Sequence, residues 1–550
     1  MKKVITIALL LASSMNITAQ EYDVPVSEAQ EPMKTGTFEP TWESLRNYEV
    51  PEWFQDAKFG IWAHWGPQCV EGSGDWMARD MYMEGSKAYK YHKENYGHPS
   101  EVGFKDILPL FKAENWNPEK LVKFYKEVVG AKYFFVLGNH HDNFDLWDSQ
   151  YQEWNSVAIG PKRDILKEWK EATEKAGLPL GISFHADHAW IWYETARRFD
   201  TKGELRGKLY DGWLTKEDGY KPNADGTEKW WKGLDPQKLY VQDHDLSENF
   251  WKGSDTGDQW GWGNGANQPT QEFVTNFYNR TLDAINRYNP DLLYFDVTVL
   301  PFYPFSDAGL KITAHQYNKS IAQHNGKNEA IVFGKILSEE QKDALVWDVE
   351  RGAPNNIVPK PWQSCSCIGN WHYNDDYYKY GLYKSAATVI RLLADIVSKN
   401  GNLLLSVPLR ADGTFDDKEE KILLEIGQWM KINGEAIYGT RPWRKFGEGP
   451  IAESVIEIKE QGFNEGSYTK AGAQEIRFTT KGDILYAIPL GWPENNEITI
   501  TSIKEEKIKS IQLLGSGKVK FSQTEEGLKV ILPEKHPTDI CPALKINFSK

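Results

Sequence analysis

Side chains able to do chemistry stand directly after several short apolar runs of this sequence. In chain order these positions are His64 and Trp65, then His140, His141 and Asp142, then His185 and His188, then Asp296, and finally Asp348 and Glu350. In a barrel of parallel strands, the carboxyl ends of the strands meet on one rim, where catalytic groups lie. We therefore expect these side chains to converge on one site.

Two of these carboxylates fit the cleavage of a glycosidic bond. That reaction uses one carboxylate to attack the anomeric carbon and a second to give a proton to the leaving oxygen and later take one from water. Asp296, which follows Leu-Leu-Tyr-Phe, and Glu350 form our predicted pair. A helix N-cap is the alternative role for a strand-end aspartate. Asp348 shares a face with Glu350 on an extended strand and is the fallback proton donor.

Two other functional classes compete with this interpretation. His140, His141 and Asp142, together with His185, would form a metal site for hydrolysis. Adjacent histidines on a strand point to opposite faces, so both can bind one ion only if the strand has already ended. A non-catalytic sugar-binding protein is the second class, and the presence of both Asp296 and Glu350 argues against it.

The elements that must position these residues alternate between strands and helices. The strand-like runs are Phe59 to Trp62, Tyr133 to Leu137, Leu180 to Phe184, Leu292 to Phe295, Ala330 to Phe333 and Leu403 to Val407. The helices between them are Glu119 to Val129, a segment from Asp164 to Gly177, and Tyr383 to Lys399. This α/β order predicts a (β/α)₈-like TIM barrel, with an open doubly wound sheet as the alternative. The sequence has no phosphate-cradling glycine loop, which disfavours the open sheet.

Two further segments do not have the alternating strand and helix pattern of the barrel. Residues 201 to 270 are polar and rich in glycine and tryptophan, which predicts a long loop insertion forming a wall of a binding cleft. After Thr440, short runs alternate apolar and polar residues between turn signals, which predicts a C-terminal antiparallel β-sandwich. We place the barrel domain at 21–445 and the sandwich at 446–550.

Composition narrows the class of ligand. The formal net charge of −14 argues against nucleic acid as a partner, because such binding depends on clustered lysine and arginine. An uncharged ligand fits better, and 23 tryptophans suit the stacking of aromatic faces on sugar rings. The four cysteines do not form a disulfide framework or show the usual zinc spacing, so we expect free, buried thiols.

The first 20 residues have the layout of a secretory signal peptide. Lys2 and Lys3 precede an apolar stretch from Val4 to Ala12, which is followed by small and polar residues. No segment reaches the length of about 18 apolar residues that a membrane helix requires. We expect an exported protein, periplasmic or extracellular, without a membrane span.

Four stretches resemble motifs of the α-L-fucosidases of glycoside hydrolase family 29. They are Trp53 to Pro67, His140 to Asp148, Lys399 to Pro408 and Gly434 to Gly439. No single stretch is specific to this family, but the four stretches together are. The resemblance runs from about residue 50 to residue 445.

The resemblance implies a barrel with a C-terminal β-sandwich, net retention of configuration, and no metal or other cofactor. It also implies that Asp296 is the nucleophile and Glu350 the acid/base, that His64, His140 and His141 bind the sugar, and that Tyr294 stacks on it. The substrate would be a terminal α-L-fucosyl residue of an oligosaccharide or polysaccharide.

This chain departs from the family pattern around the sugar. Asp75, before Trp76, stands where members carry a glutamate, and Lys335 is the nearest candidate for a family arginine. His185, or its neighbours Ser183 and Phe184, replaces a tyrosine of the third strand, and Gln363 replaces part of a common Trp-Glu pair. We predict that Trp65, Asp75, Trp76, His185 and Lys335 complete the substrate-binding set. The departures leave L-galactose, or a decorated marine polysaccharide, as alternative substrates.

Overall fold

The structure of the protein is a computed structural model that describes residues 22–247, 250, 268–455, 458, 462–468 and 471–549. The signal peptide expected at residues 1–20 lies outside the described residues, and so do Trp251, Trp260 and Trp262 of the insertion.

Eight parallel strands form a closed barrel in chain order, which confirms the predicted fold and excludes the open sheet. The strands are β1 (Phe59–Ala63), β2 (Tyr133–Leu137), β3 (Leu180–Phe184), β4 (Leu292–Phe295), β5 (Ile331–Gly334), β6 (Val346–Glu350), β7 (Trp362–Cys367) and β8 (Gly401–Ser406). Nearly every residue of these strands is buried, because the barrel interior covers one face and the surrounding helices cover the other.

Strand β7 was not predicted from the sequence. Its residues, Trp-Gln-Ser-Cys-Ser-Cys, lack the apolar run that identified six of the other strands, although all six residues are buried. Their polar groups are satisfied internally: Gln363 donates to Asp348 and Ser364 donates to the carbonyl oxygen of Gly352. Buried polar groups that find partners cost little, so a polar strand fits the barrel.

The helices follow the capping signals of the sequence in part. They are α1 (Trp42–Leu45), α2 (Glu52–Ala57), α3 (Met77–Asp80), α4 (Lys87–Asn95), α5 (Phe104–Ile107), α6 (Pro118–Lys123), α7 (Ile165–Ala176), α8 (Ala189–Trp192), α9 (Pro236–Tyr240), α10 (Gln271–Tyr288), α11 (Ala308–Gln323), α12 (Asp375–Tyr380), α13 (Ala386–Ser398) and α14 (Asp417–Asn433). Helix α7 is capped by Asp164 and ends at the left-handed Gly177, as predicted.

Two helix predictions needed correction. The segment expected to be one helix up to Val129 is α6 followed by a π-helical stretch, Phe124–Val129, that ends at Gly130. Helix α13 begins at Ala386 rather than Tyr383, because the side chain of Ser385 accepts a hydrogen bond from the main-chain nitrogen of Thr388 and caps the first turn.

The C-terminal region forms the predicted antiparallel β-sandwich. Its strands are β9 (Arg441–Glu448), β10 (Ile476–Lys481), β11 (Ile484–Pro489), β12 (Glu497–Ile500), β13 (Ile508–Leu513), β14 (Gly517–Lys518), β15 (Lys520–Thr524), β16 (Gly527–Ile531) and β17 (Leu544–Phe548). A six-stranded sheet in the order β14-β13-β17-β11-β10-β9 packs on a three-stranded sheet in the order β12-β16-β15. One apolar cluster joins the facing side chains, including Phe478, Leu485, Ile500 and Leu528. The domain limits of 21–445 and 446–550 stay a prediction.

A buried ionic network connects the barrel to the sandwich. Asp395 of α13 accepts hydrogen bonds from Lys399 at 2.7 Å and from Arg477 of β10 at 2.6 Å. Because all three side chains are buried, loss of one partner would leave an uncompensated charge. These ion pairs therefore connect helix α13 of the barrel to strand β10 of the sandwich.

The insertion at residues 201–270 contains little regular structure where it is described. It forms the single-turn helices Asp211–Trp213 and Lys216–Tyr220 before α9. Trp213 and Trp230 are exposed, whereas Trp231 is buried. Its role as a cleft wall stays a prediction. Within the described residues, no helix has the length and apolar character needed to cross a membrane.

Candidate active site

Asp296 and Glu350 meet at one cation, Lys335. Asp296 follows β4, Lys335 follows β5 and Glu350 is the last residue of β6, so three neighbouring strands bring them together. The Lys335 ammonium donates a hydrogen bond to Glu350 Oε2 at 2.7 Å and another to Asp296 Oδ1. Oxygens that share one ammonium lie no more than about 6 Å apart, given usual hydrogen-bond lengths.

The pKa values of the two carboxyl groups are shifted in opposite directions. Burial opposes ionisation of Asp296, but the Lys335 ammonium and a hydrogen bond from His141 outweigh it and hold its pKa well below the usual value. Burial raises the pKa of Glu350, and the neighbouring charge of Asp296 adds to this increase against the opposing effect of Lys335. The site therefore holds one ionised carboxylate and one that keeps its proton more readily, which is the division of roles that a glycosidase needs.

Two histidines adjoin the predicted nucleophile. His141 Nε2 lies 3.2 Å from Asp296 Oδ2, and His141 Nδ1 lies 2.9 Å from the carbonyl oxygen of His185. Burial lowers the pKa of His141, but its hydrogen bond to Asp296 raises the pKa above the usual value. His185 Nδ1 is 3.7 Å from Asp296 Oδ2, and neither ring nitrogen of His185 has a hydrogen-bond partner among the described residues. Both nitrogens are therefore buried beside Asp296 without a hydrogen bond to it.

A second group contains His140, Asp75 and His372. Asp75 Oδ1 lies 2.7 Å from His372 Nδ1 and 3.8 Å from His140 Nε2. Gln68 Nε2 lies 2.9 Å from His140 Nδ1 and fixes the ring. Burial holds the pKa of His140 well below the usual value, and the neighbouring imidazoles lower it further. His140 is therefore neutral at physiological pH and can hydrogen-bond uncharged hydroxyl groups.

Three more predicted residues lie at or beneath the same cleft. His64 lies 2.9 Å from the Ser406 hydroxyl, and its ring centroid is 6.1 Å from that of His185. Trp76 has a left-handed backbone (φ 63°), and its ring lies 6.4 Å from that of His141. Tyr294 is buried beneath Lys335, whose ammonium lies 5.7 Å from the centroid of the ring.

Trp65 is a predicted residue that the structure does not bring to this group. Its ring packs against Phe111 and Trp116, with centroids 5.0 Å away in both cases, and its nitrogen donates to the carbonyl oxygen of Arg410. The residue after a strand end turns to the opposite side from its neighbour, so His64 faces the cleft and Trp65 faces the surrounding core.

Asp348 and Gln363 lie one layer below the cleft. Asp348 is buried within β6 and accepts hydrogen bonds from Gln363 at 2.9 Å and from Cys365 at 3.0 Å. Burial raises the pKa of Asp348 to about 6. Asp348 shares the inward face with Glu350, as predicted, but these partners hold it in the barrel core rather than at the rim.

Sequence reasoning missed His372 and Trp371. Both follow β7, whose polar sequence concealed it, so the rule of searching strand ends did not reach them. The ring of Trp371 lies 5.0 Å from that of His64, and the ring of His372 lies 4.6 Å from that of His140. Recognising β7 would have identified both residues.

His140 and His141 do not point to opposite faces of a strand, as adjacent strand residues would. Strand β2 ends at Leu137, so His140 and His141 lie in the following loop. One nitrogen each from His140, His141 and His185 lies within 4.8 Å of the others. The sequence argument against a shared ion therefore does not hold, although Asp142 lies outside this triad.

The C-terminal region reaches the strand that carries Glu350. The main-chain nitrogen of Phe463 donates to the carbonyl oxygen of Glu350 at 2.8 Å. The side chain of Asn464 exchanges two hydrogen bonds with the main chain of Ala353, at 2.9 Å and 3.0 Å. Glu465 accepts a hydrogen bond from Arg351 at 2.8 Å. Residues 462–465, here called the bracing segment, thus hold the end of β6.

Comparisons with known proteins identify a family for both parts of the chain. The α-L-fucosidase family model matches residues 26–435, and the α-L-fucosidase C-terminal domain model matches residues 470–547. Tissue α-L-fucosidase of Rattus norvegicus is 26% identical over 518 residues, which cover 91% of this chain and 89% of the relative. Plasma α-L-fucosidase of Homo sapiens is 26% identical over 520 residues, covering 90% and 89%. The crystal structure of Thermotoga maritima α-fucosidase has a TM-score of 0.64 at 25% identity and covers 92% of this chain and 100% of that one.

Proposed function

Because the chain belongs to the α-L-fucosidase family and is a glycoside hydrolase, we propose that it hydrolyses terminal α-L-fucosyl residues with retention of configuration. Asp296 is the nucleophile and Glu350 the acid/base of a double displacement. The observation that carries this assignment is the Lys335 ammonium, which contacts both carboxylates. The shared contact keeps them nearer than the roughly 6.5–9.5 Å typical of inverting enzymes.

In the first step, ionised Asp296 attacks the anomeric carbon and the bond to the leaving oxygen breaks. Glu350 gives its proton to that oxygen. In the second step, Glu350 removes a proton from water, the water oxygen attacks the anomeric carbon, and the ester to Asp296 breaks. Two inversions give net retention. The low pKa of Asp296 and the raised pKa of Glu350 support these starting protonation states.

The imidazoles around Asp296 provide the sugar contacts in this proposal. Burial lowers the pKa of His64, His140 and His185 well below the usual value, so these rings are neutral. A neutral imidazole both donates and accepts, which suits the hydroxyl groups of a sugar. His141, bonded to Asp296, orients the nucleophile.

Stereochemistry tests this proposal directly. Proton NMR of early hydrolysis of an aryl α-L-fucoside should show the α-anomer of fucose before mutarotation. The β-anomer as first product would exclude Asp296 as a nucleophile and indicate single displacement.

The natural substrate is an oligosaccharide or polysaccharide in this proposal. Asp75, Lys335 and His185 differ from the usual residues of the family around the sugar, so we expect slow turnover of simple aryl fucosides. A screen of defined α-L-fucosides, α-L-galactosides and marine polysaccharides tests this expectation. Equal efficiency on an aryl fucoside and on the best oligosaccharide would show that the substitutions are neutral.

Export is the remaining part of the proposal. The pattern of residues 1–20 supports cleavage by a signal peptidase and a periplasmic or extracellular location. N-terminal sequencing of the protein recovered from a cell fraction would test it, and an intact Met1 would contradict it.

A further inference from the structure

Asp75, His140 and His372 form a compact group of three metal-ligating side chains, here called the Asp75 triad. One ligand atom from each residue lies within 4.8 Å of the other two. The rings of His140 and His372 are 4.6 Å apart and nearly perpendicular, at 88°. We propose that the Asp75 triad binds a divalent transition metal ion, with Zn²⁺ as the best fit, and that the bound ion excludes the sugar.

The spacing of the ligand atoms fits such an ion with small movements. Nitrogen and oxygen ligands lie about 2.0–2.1 Å from zinc, so neighbouring ligand atoms of one ion are roughly 3.0–3.5 Å apart. Asp75 Oδ1 is 2.7 Å from His372 Nδ1 and 3.8 Å from His140 Nε2. These two distances bracket the required value. Two imidazoles and one carboxylate are also a ligand set that zinc sites use.

The triad is enclosed on its histidine side and open at Asp75. His140 and His372 are buried, and His372 turns Nδ1 toward Asp75, so Nδ1 is the nitrogen that would bind the ion. The Asp75 side chain is 17% exposed, which provides an access route.

Gln68 can support the ion as an outer partner of His140. Its Nε2 lies 2.9 Å from His140 Nδ1, and its buried Oε1 has no hydrogen-bond partner among the described residues. If the Gln68 amide is turned over, Nδ1–H of His140 can donate a hydrogen bond to Gln68 Oε1. The lone pair on His140 Nε2 is then left to bind the ion. Such outer partners commonly orient metal-binding histidines.

The neighbouring triad of His140, His141 and His185 is less suitable. His141 and His185 lie against Asp296, whose other carboxylate oxygen is bonded to the Lys335 ammonium. A divalent cation there would stand close to that ammonium and be repelled. The Asp75 triad instead supplies its own negative charge.

Occupancy would have a consequence for catalysis. His140 and Asp75 are also predicted sugar contacts, so ion and sugar compete for the same atoms. This competition rests on the proposed function, whereas ion binding does not. Zinc would then act as a reversible inhibitor and not as a cofactor.

Calorimetric titration of Zn²⁺ alone into the full-length, chelator-treated protein tests the site. We expect one ion per chain and weaker binding by more than about tenfold in His372→Ala and in Asp75→Asn, since loss of even an outer partner commonly has that effect. The matched control is His324→Ala, an exposed imidazole at the end of α11, which should bind zinc like the wild type. Circular dichroism checks that each variant is folded.

Unchanged zinc affinity in both folded variants would overturn the proposal. Loss of binding in His185→Ala together with wild-type binding in His372→Ala would also overturn it, because the ion would then occupy the other triad. L-fucose should lower the apparent zinc affinity. Zinc binding in a protein that cleaves no fucoside would refute the proposed function and leave the ion site standing.

Discussion

The ammonium of Lys335 lies 2.7 Å from Oε2 of Glu350 and also holds the carboxylate of Asp296. One cation therefore sets the charge environment of both residues assigned to catalysis. Lys335 lowers the pKa of both carboxyl groups, while burial opposes it at each. A substitution that removes the charge of Lys335 should therefore shift both limbs of the profile of kcat/KM against pH.

The first prediction concerns Lys335→Met. Loss of the cation raises the pKa of Asp296 and of Glu350, so both limbs of kcat/KM against pH should move to higher pH. The acid limb moves because Asp296 must be ionised, and the alkaline limb moves because Glu350 must be protonated. Lys335→Arg keeps the charge and is the control. A profile of Lys335→Met that overlays the wild type would show that Lys335 does not govern either group.

The second prediction concerns the nucleophile. Asp296→Ala should lower turnover by several orders of magnitude, because it removes the covalent step while leaving the strands in place. Asp148→Ala, which removes a half-exposed surface carboxylate, should retain activity. Melting temperatures establish that both variants fold. Near-wild-type turnover of folded Asp296→Ala would remove Asp296 from the mechanism.

The third prediction separates Glu350 from Asp348. Glu350→Ala should slow substrates with poor leaving groups far more than nitrophenyl substrates, since only the former need a donated proton. Asp348→Asn should affect both substrates alike, because Asp348 is bonded to Gln363 and Cys365 below the cleft. The reverse pattern would transfer the acid role to Asp348.

The fourth prediction concerns the bracing segment. Asn464→Ala removes two hydrogen bonds to Ala353 and should loosen the end of β6 that carries Glu350. We expect the loss in kcat to be larger for poor leaving groups than for nitrophenyl substrates. Asn547→Ala, in β17, removes a side-chain bond to Ser510 and should leave this ratio unchanged. Equal losses on both substrates in Asn464→Ala would indicate a role in stability alone.

The fifth prediction concerns Asp187, a buried carboxyl whose two oxygens have no hydrogen-bond partner among the described residues. Burial raises its pKa to about 8. Between about pH 4 and pH 8 the folded protein therefore keeps a proton on Asp187 that the unfolded chain has released. Across this range the group lowers the free energy of unfolding by about 1.4 kcal/mol for each unit of increase in pH. Above pH 8 the loss is complete.

Asp187→Asn cannot ionise and should gain stability relative to the wild type as pH increases from 5 to 8. Urea unfolding of both proteins at these two pH values measures the difference. A constant difference across this range would show that Asp187 is already ionised in the folded protein.

The local pattern of the sequence determined most of the barrel and many of the residues at its mouth. Each of the six predicted apolar runs corresponds to a strand, because burial of both faces favours apolar residues along the whole strand. Residues that follow such strands, including His64, His141, His185 and Asp296, converge because parallel strands end on one rim. Strand β7 could not be found in this way, because its hydroxyl, amide and thiol side chains interrupt the apolar pattern. Partners such as Asp348 and Glu465 satisfy two of these groups only in the folded chain. His372 and Trp371, which follow β7, were therefore not predicted either.

Only the tertiary structure decided which charges meet. Lys335 is 39 residues from Asp296 and 15 from Glu350, and no sequence pattern shows that one ammonium serves both. The same is true of Asp75 and His372, which are 297 residues apart, and of Asn464, which reaches β6 from beyond β9. Burial, hydrogen bonding and nearby charge set the pKa of each group. These are properties of the packed neighbourhood, whereas the strand pattern is a property of neighbouring residues in the chain.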